Sequence, residues 1–133
     1  MRILVVDDHL PTLELMRLTL TSFGHSVSSA TGVVEALELA DTDPPDVILS
    51  DLTFSSITGQ EQDGHALARA VRSRPGHESI GLLAITGVVS PSELQAAIDS
   101  GFDGVVVKPF DLESLIERID ALGHGLGRGR SDQ

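Results

Sequence analysis

With 133 residues the chain can build one domain with a substantial core and is too short for two. Its apolar fraction of 41% argues against disorder, and its formal net charge of −11 argues against nonspecific attraction to nucleic acid or anionic membranes. The absence of cysteine excludes disulfides, thiolate nucleophiles and cysteine-type zinc sites, which suits a cytoplasmic protein. The first residues run straight into the fold pattern with no signal-peptide core, and no apolar run approaches the ~20 residues a membrane span needs.

Strand and helix patterns alternate along the chain. Residues 2–7 form a short aliphatic run, predicted as a buried strand that ends on Asp7 and Asp8. From Pro11 to Phe23, the spacing of Leu13, Met16, Leu20 and Phe23 predicts a helix with proline in its first turn and Gly24 as its stop. His25 to Ala30 alternates as a second strand. Thr31 is placed to cap a helix over Gly32 to Ala40, with Val34, Leu37 and Ala40 on its apolar face. Asp43-Pro44-Pro45 breaks the chain before a third strand, Asp46 to Asp51.

Residues 52–63 have no period and are rich in turn formers, a long connection for a strand and the helix that follows. Gly64 to Arg74 reads as a helix, with Leu67, Ala68 and Val71 apolar, and Ile80 to Ile85 as a fourth strand. Ser90-Pro91-Ser92-Glu93 is a capping box with proline at the first helical position, opening a helix that ends at Gly101. Val105-Val106-Val107 is a fifth strand. Asp111 is placed to cap a last helix with the stripe Leu112, Leu115, Ile116, Ile119 and Leu122. The alternation predicts an α/β fold, a doubly wound five-stranded parallel sheet with five helices, over residues 1–122. Residues 123–133 read as a flexible Gly/Arg tail, with Arg128 and Arg130 solubilising it.

Polar residues sit at the strand ends: Asp7 and Asp8 after the first strand, Asp51 after the third, Thr86 after the fourth, Lys108 after the fifth. If the first and third strands are neighbours, three carboxylates converge at the edge where open α/β sheets bind ligands. Bare carboxylates so placed repel, so the cluster implies a bound cation, phosphate chemistry, or both. Phosphoryl transfer onto a carboxylate suits the set, because a hard divalent cation takes carboxylate oxygens while Thr86 and Lys108 can contact phosphoryl oxygens.

The acidic pair Asp7-Asp8, the strand-three Asp51, Thr86 and Lys108-Pro109-Phe110, in this order, resemble the receiver domain of bacterial two-component response regulators over about residues 2–122. The resemblance implies a flavodoxin-like receiver fold. It implies that Asp51 accepts a phosphoryl group from a histidine kinase or a histidine phosphotransfer protein. It implies Mg2+ bound directly by Asp8, with the Asp51 carboxylate and the Thr53 backbone carbonyl, and by Asp7 through water. Thr86 would move to bond the phosphoryl group, Lys108 would pair with it, and the Lys108-Pro109 bond is commonly cis in such domains. The fourth helix, fifth strand and fifth helix would present the change to a downstream protein of unknown identity, and the last two helices could support a homodimer. No nucleic-acid or membrane contact through this domain, and no enzyme activity beyond its own phosphorylation and dephosphorylation, is expected.

The chain departs from the family pattern in three places. Val105 stands where an aromatic is usual, so a ring switch coupled to Thr86 is absent. Ser55 stands where a proline is usual, and Asp63-Gly64 arrives late, an insertion of about five residues. Gly87 follows Thr86 and leaves access to the phosphoryl group. Ser55, Ser56 and Thr58 read as polar loop filler or as a lid over the site. His9 lacks a second histidine at ligand spacing, and His25, His65, His77 and His124 read as scattered and solvated. Taken singly, Asp8 could serve as a helix cap and Lys108 as a surface ion-pair partner. Two other functions compete: a receiver-like interaction module that works without phosphorylation, and a haloacid-dehalogenase-like phosphatase. The second wants a general-acid aspartate two residues after the nucleophile, where this chain has Thr53.

Overall fold

The computed structural model describes residues 1–52, 64–87, 90–108 and 111–122. The elements run β1 (Arg2–Val6), α1 (Leu10–Ser22), β2 (Ser26–Ala30), α2 (Val33–Thr42), β3 (Val47–Asp51), α3 (Gly64–Ser73), β4 (Gly81–Thr86), α4 (Pro91–Ser100), β5 (Gly104–Val107) and α5 (Leu112–Ala121). The five strands make one parallel sheet in the order β2-β1-β3-β4-β5. The order reverses direction between β1 and β3, and a ligand crevice opens at such a switch point. None of the described helices is long and apolar enough to cross a membrane.

Alternation along the central strands divides the core in two. Leu4, Val6, Ile48, Leu82 and Ala84 face α2, α3 and α4, where they meet Ala36, Leu67, Val71 and Ala97. Ile3, Val5, Val47, Leu49 and Leu83 face α1 and α5, where they meet Leu13, Met16, Leu20, Leu115 and Ile119. Both faces of the central strands are therefore apolar, which is why these strands read as continuous hydrophobic runs.

Local signals mark most helix ends. Pro11 lies in the first turn of α1. At its other end Gly24 takes a positive φ of 92°, while its N–H reaches the carbonyl of Thr21 and that of His25 reaches Leu20. That pair of bonds closes the helix in a Schellman motif, a turn that favours glycine. The capping box of α4 is complete, with Glu93 N–H donating to Ser90 Oγ and Ser90 N–H to Glu93 Oε1.

Several expectations are corrected. Thr31 does not cap α2. Gly32 is the cap residue, and Thr31 instead donates through its N–H and hydroxyl to Glu35. The buried face of α2 is Val33, Ala36 and Ala40, with Leu37 half-buried and Val34 59% exposed, because the stripe through Val33 and Ala36 is the one that packs into the core. Phe23 is 52% exposed, since the chain has already left the helix there. Asp111 precedes α5 as its cap residue but its side chain bonds to Ser114 Oγ rather than to a backbone N–H.

The histidines are not uniformly solvated either. His77 is buried, with Nε2 3.5 Å from Asp41 Oδ1 and Nδ1 without a hydrogen-bond partner among the described residues. His25 Nδ1 meets the Met1 amino group at 3.2 Å. Helix packing and a chain end fold over these rings, and no local pattern announces either event.

Candidate functional site

Parallel pairing of Val6 with Ser50 places the ends of β1 and β3 side by side, and Asp51 pairs in turn with Ile85 of β4. This register brings Asp7, Asp8 and Asp51 together, with one carboxylate oxygen of each lying within 4.8 Å of the others. Asp7 is buried, while Asp8 and Asp51 are half-buried. Oxygen atoms converging this closely on a partly dry edge suit a hard divalent cation, which takes carboxylate oxygens and keeps several waters. The cluster is also oriented from behind. The Asp7 N–H donates to Ala30 O at 3.1 Å, and Asp7 Oδ1 accepts the His9 N–H at 2.9 Å.

His9 is the cap residue of α1, with no side-chain cap bond; its ring is bonded to Thr12 Oγ1 at 2.6 Å. Asp8 is therefore not the cap of that helix. His9 is not part of the carboxylate cluster.

Thr86 and Lys108 complete the edge. Val107 pairs with Thr86, and the next N–H, that of Lys108, donates to Thr86 O at 2.7 Å. Lys108 is exposed, yet it lines a small cavity of about 30 Å³ together with Asp7, Asp51, Thr12, Met16 and Ile85. A lysine thus reaches the rim of a space bounded by two of the three carboxylates. Thr53, Pro109, Phe110 and the loop residues Ser55, Ser56 and Thr58 lie outside the described residues, as does the 123–133 tail.

Two further residues hold Asp51 in place: Ser50, which motif reading did not single out, and Gly64, which it noted only as part of the late Asp63-Gly64 pair. Ser50 is fully buried and its hydroxyl donates to the Asp51 main-chain carbonyl at 2.8 Å. Gly64, the first residue of α3, donates its N–H to Leu52 O at 3.0 Å. A Cβ on Gly64 would stand 2.9 Å from Leu52 Cα and would collide with the Asp51 carbonyl oxygen. Only glycine lets α3 approach the phosphoacceptor candidate this closely. Ser50 was visible as the one hydroxyl inside an apolar strand, and Gly64 as the glycine that restarts a helical pattern.

Comparison with known proteins points the same way. The sequence model of the response regulator receiver domain matches residues 3–120. A "Response regulator MprA" from Mycobacterium leprae is 38% identical over 122 residues, covering 92% of this chain and 50% of the relative. The protein of the same name from Mycobacterium bovis is 37% identical over 121 residues, covering 91% of this chain and 50% of the relative. The chain thus spans about half the length of the curated relatives it matches. Among solved structures, the chemotaxis protein CheY4 of Vibrio cholerae superposes with a TM-score of 0.82 at 29% identity, over 91% of this chain and 97% of that one. A putative response regulator from Chloroflexus aurantiacus gives 0.81 at 27%, over 91% and 95%.

Proposed function

From the premise that this chain belongs to the response regulator receiver domain family, we propose that it is a phosphoacceptor switch whose acceptor is Asp51. An Asp51 carboxylate oxygen attacks the phosphorus of a phosphohistidine on a histidine kinase or phosphotransfer protein. The P–N bond breaks, its electron pair returns to the imidazole, which takes up a proton, and an acyl phosphate forms on Asp51. The observation that carries this reading is the convergence of Asp7, Asp8 and Asp51 within 4.8 Å at the switch point of the sheet.

The donor set fits Mg2+, with Asp8 and Asp51 as direct ligands, the Thr53 carbonyl completing them and Asp7 acting through water; bound there, the ion would neutralise charge on the transferring group. Asp7 and its bond from His9 hold the acidic pair in orientation. Lys108 supplies a positive charge for the phosphoryl oxygens, and the Thr86 hydroxyl a hydrogen-bond donor.

Thr53 stands where a haloacid-dehalogenase-like phosphatase wants its general-acid aspartate, two residues after Asp51, which favours a signalling module over that enzyme. A downstream partner would read the α4, β5 and α5 surface, and a homodimer through α4 and α5 is the assembly proposed for it. The formal charge of −11 supports no nucleic-acid contact through this domain.

The test is intact mass after incubation with magnesium and a small phosphodonor, for wild type and Asp51→Ala. A single phosphoryl adduct on the wild type, absent from the variant, is expected. No adduct, with no magnesium binding, would leave an interaction module that works without phosphorylation.

A further inference from the structure

A switch needs a route from Asp51 to an outer surface. In the middle of β5, Val105 is a partly buried side chain packed on the core, and a β-branched residue has few rotamers to swap between. We propose that α3 carries the state of Asp51 to α4, through Gly64 packed on the Asp51 main chain and His65 hydrogen-bonded to Ser100. The proposal rests on the phosphoacceptor reading of Asp51.

The first link is steric. Gly64 is buried against the Asp51 carbonyl with no room for a Cβ, and its N–H is bonded to Leu52 O at 3.0 Å. A contact already at closest approach has no slack, so a shift of the Asp51 main chain moves the start of α3.

The second link is the next residue. His65 Nδ1 lies 2.8 Å from Ser100 Oγ, and the Ser100 hydroxyl spends its one proton on Ala96 O at 2.8 Å. His65 is therefore the donor, and the bond runs from the first turn of α3 to the last residue of α4.

The third observation is how little else holds α4. Its buried residues are Ala97 and Ser100, so it packs on the domain through a methyl group and a hydroxyl. The hydrogen bond from His65 engages one of those two residues. The neighbouring Gly101 carbonyl accepts from Arg72 Nε at 3.0 Å, which fixes the end of the helix while the body is lightly held. The outer face carries Leu94 and Ile98, 43% and 41% exposed, and this is the surface whose presentation changes.

The experiment is amide hydrogen exchange of the full chain with and without phosphorylation, with phosphoryl occupancy read by intact mass on the same samples. In the wild type, phosphorylation alters exchange in residues 91–100. In His65→Ala and Ser100→Ala, occupancy stays at the wild-type level and that alteration falls by more than half, while the response at residues 104–108 is kept. His65→Asn, whose amide N–H can stand where Nδ1 does, restores it. His65 is only partly buried, so its variants keep the test available should Ser100→Ala fold poorly. An undiminished α4 response in fully phosphorylated variants, or a silent α4 in phosphorylated wild type, overturns this route alone. A wild type that takes no phosphoryl group removes the phosphoacceptor reading, and the route with it.

Discussion

Arg72 of α3 ties several segments of the molecule together. Its guanidinium donates to the carbonyls of Gly101 at 3.0 Å, Glu78 at 3.0 Å and Ile80 at 2.7 Å, and to Asp103 Oδ2 at 2.9 Å. Asp103 Oδ2 also accepts the Leu82 N–H at 2.9 Å. With side chains only 22% and 11% exposed, removal of one partner leaves the other charged and poorly solvated. Arg72→Ala should therefore cost about 3 kcal/mol or more of unfolding free energy, read from urea midpoints. Arg72→Lys should recover little of it, because an ammonium cannot span the several directions a planar guanidinium does. Gly64→Ala belongs to the same scale. The added methyl must displace the Asp51 main chain, so a loss of about 1–3 kcal/mol is expected. A slower phosphorylation of Asp51 should accompany it. Wild-type stability in that variant would mean that α3 can back away from the strand end.

Among the elements, α4 depends most on its own ends. With Ala97 and Ser100 as its buried residues, tertiary packing contributes little, and the capping box supplies much of the local order. Ser90→Ala removes the acceptor for the Glu93 N–H and should cost about 1 kcal/mol. Because α4 is weakly attached, that loss should appear as faster amide exchange confined to residues 91–100, with β1, β3 and α3 unchanged. Exchange rising equally in all elements would show that α4 opens only with the whole domain. The edge strand β5 is managed differently: Arg118 of α5 donates to Val105 O at 2.7 Å, so the edge is partly capped by a charged side chain.

At the scale of the whole molecule, an acidic chain folds three carboxylates onto one edge, where like charges repel and a bound cation would relieve them. Magnesium at tenfold excess over its Kd should add about 1.4 kcal/mol, or about 5 °C in Tm. Sodium chloride at equal ionic strength should fall well short of this. Asp8→Asn should abolish the magnesium-specific part. In metal-free buffer, Asp51→Asn should melt above the wild type, because it relieves repulsion without opening a cavity. A metal-free Asp51→Asn melting below the wild type would show that the carboxylate's other contacts outweigh the repulsion.

The α/β alternation, the element boundaries to within a few residues and the strand-end positions of Asp7, Asp8, Asp51, Thr86 and Lys108 were all legible in the sequence, because they follow from local periodicity and turn chemistry. The neighbouring of β1 and β3 could only be supposed, since strand order is a property of pairing between distant segments. The face of α2 was misread because two overlapping helical stripes, Val34-Leu37-Ala40 and Val33-Ala36-Ala40, are both apolar, and only packing on the sheet chooses between them. His77, read as solvated, is buried, with Asp41 of α2 beside its ring, a contact made only in the folded chain. The same holds for Gly64 on the Asp51 carbonyl, for His65 on Ser100 and for the Arg72 hub. Each is a contact between elements that no local pattern encodes. The sequence determined which residues stand at the strand ends, through short-range rules of strand and helix. Tertiary structure alone decided which of them touch and what braces them, because close packing selects partners by shape across the whole chain.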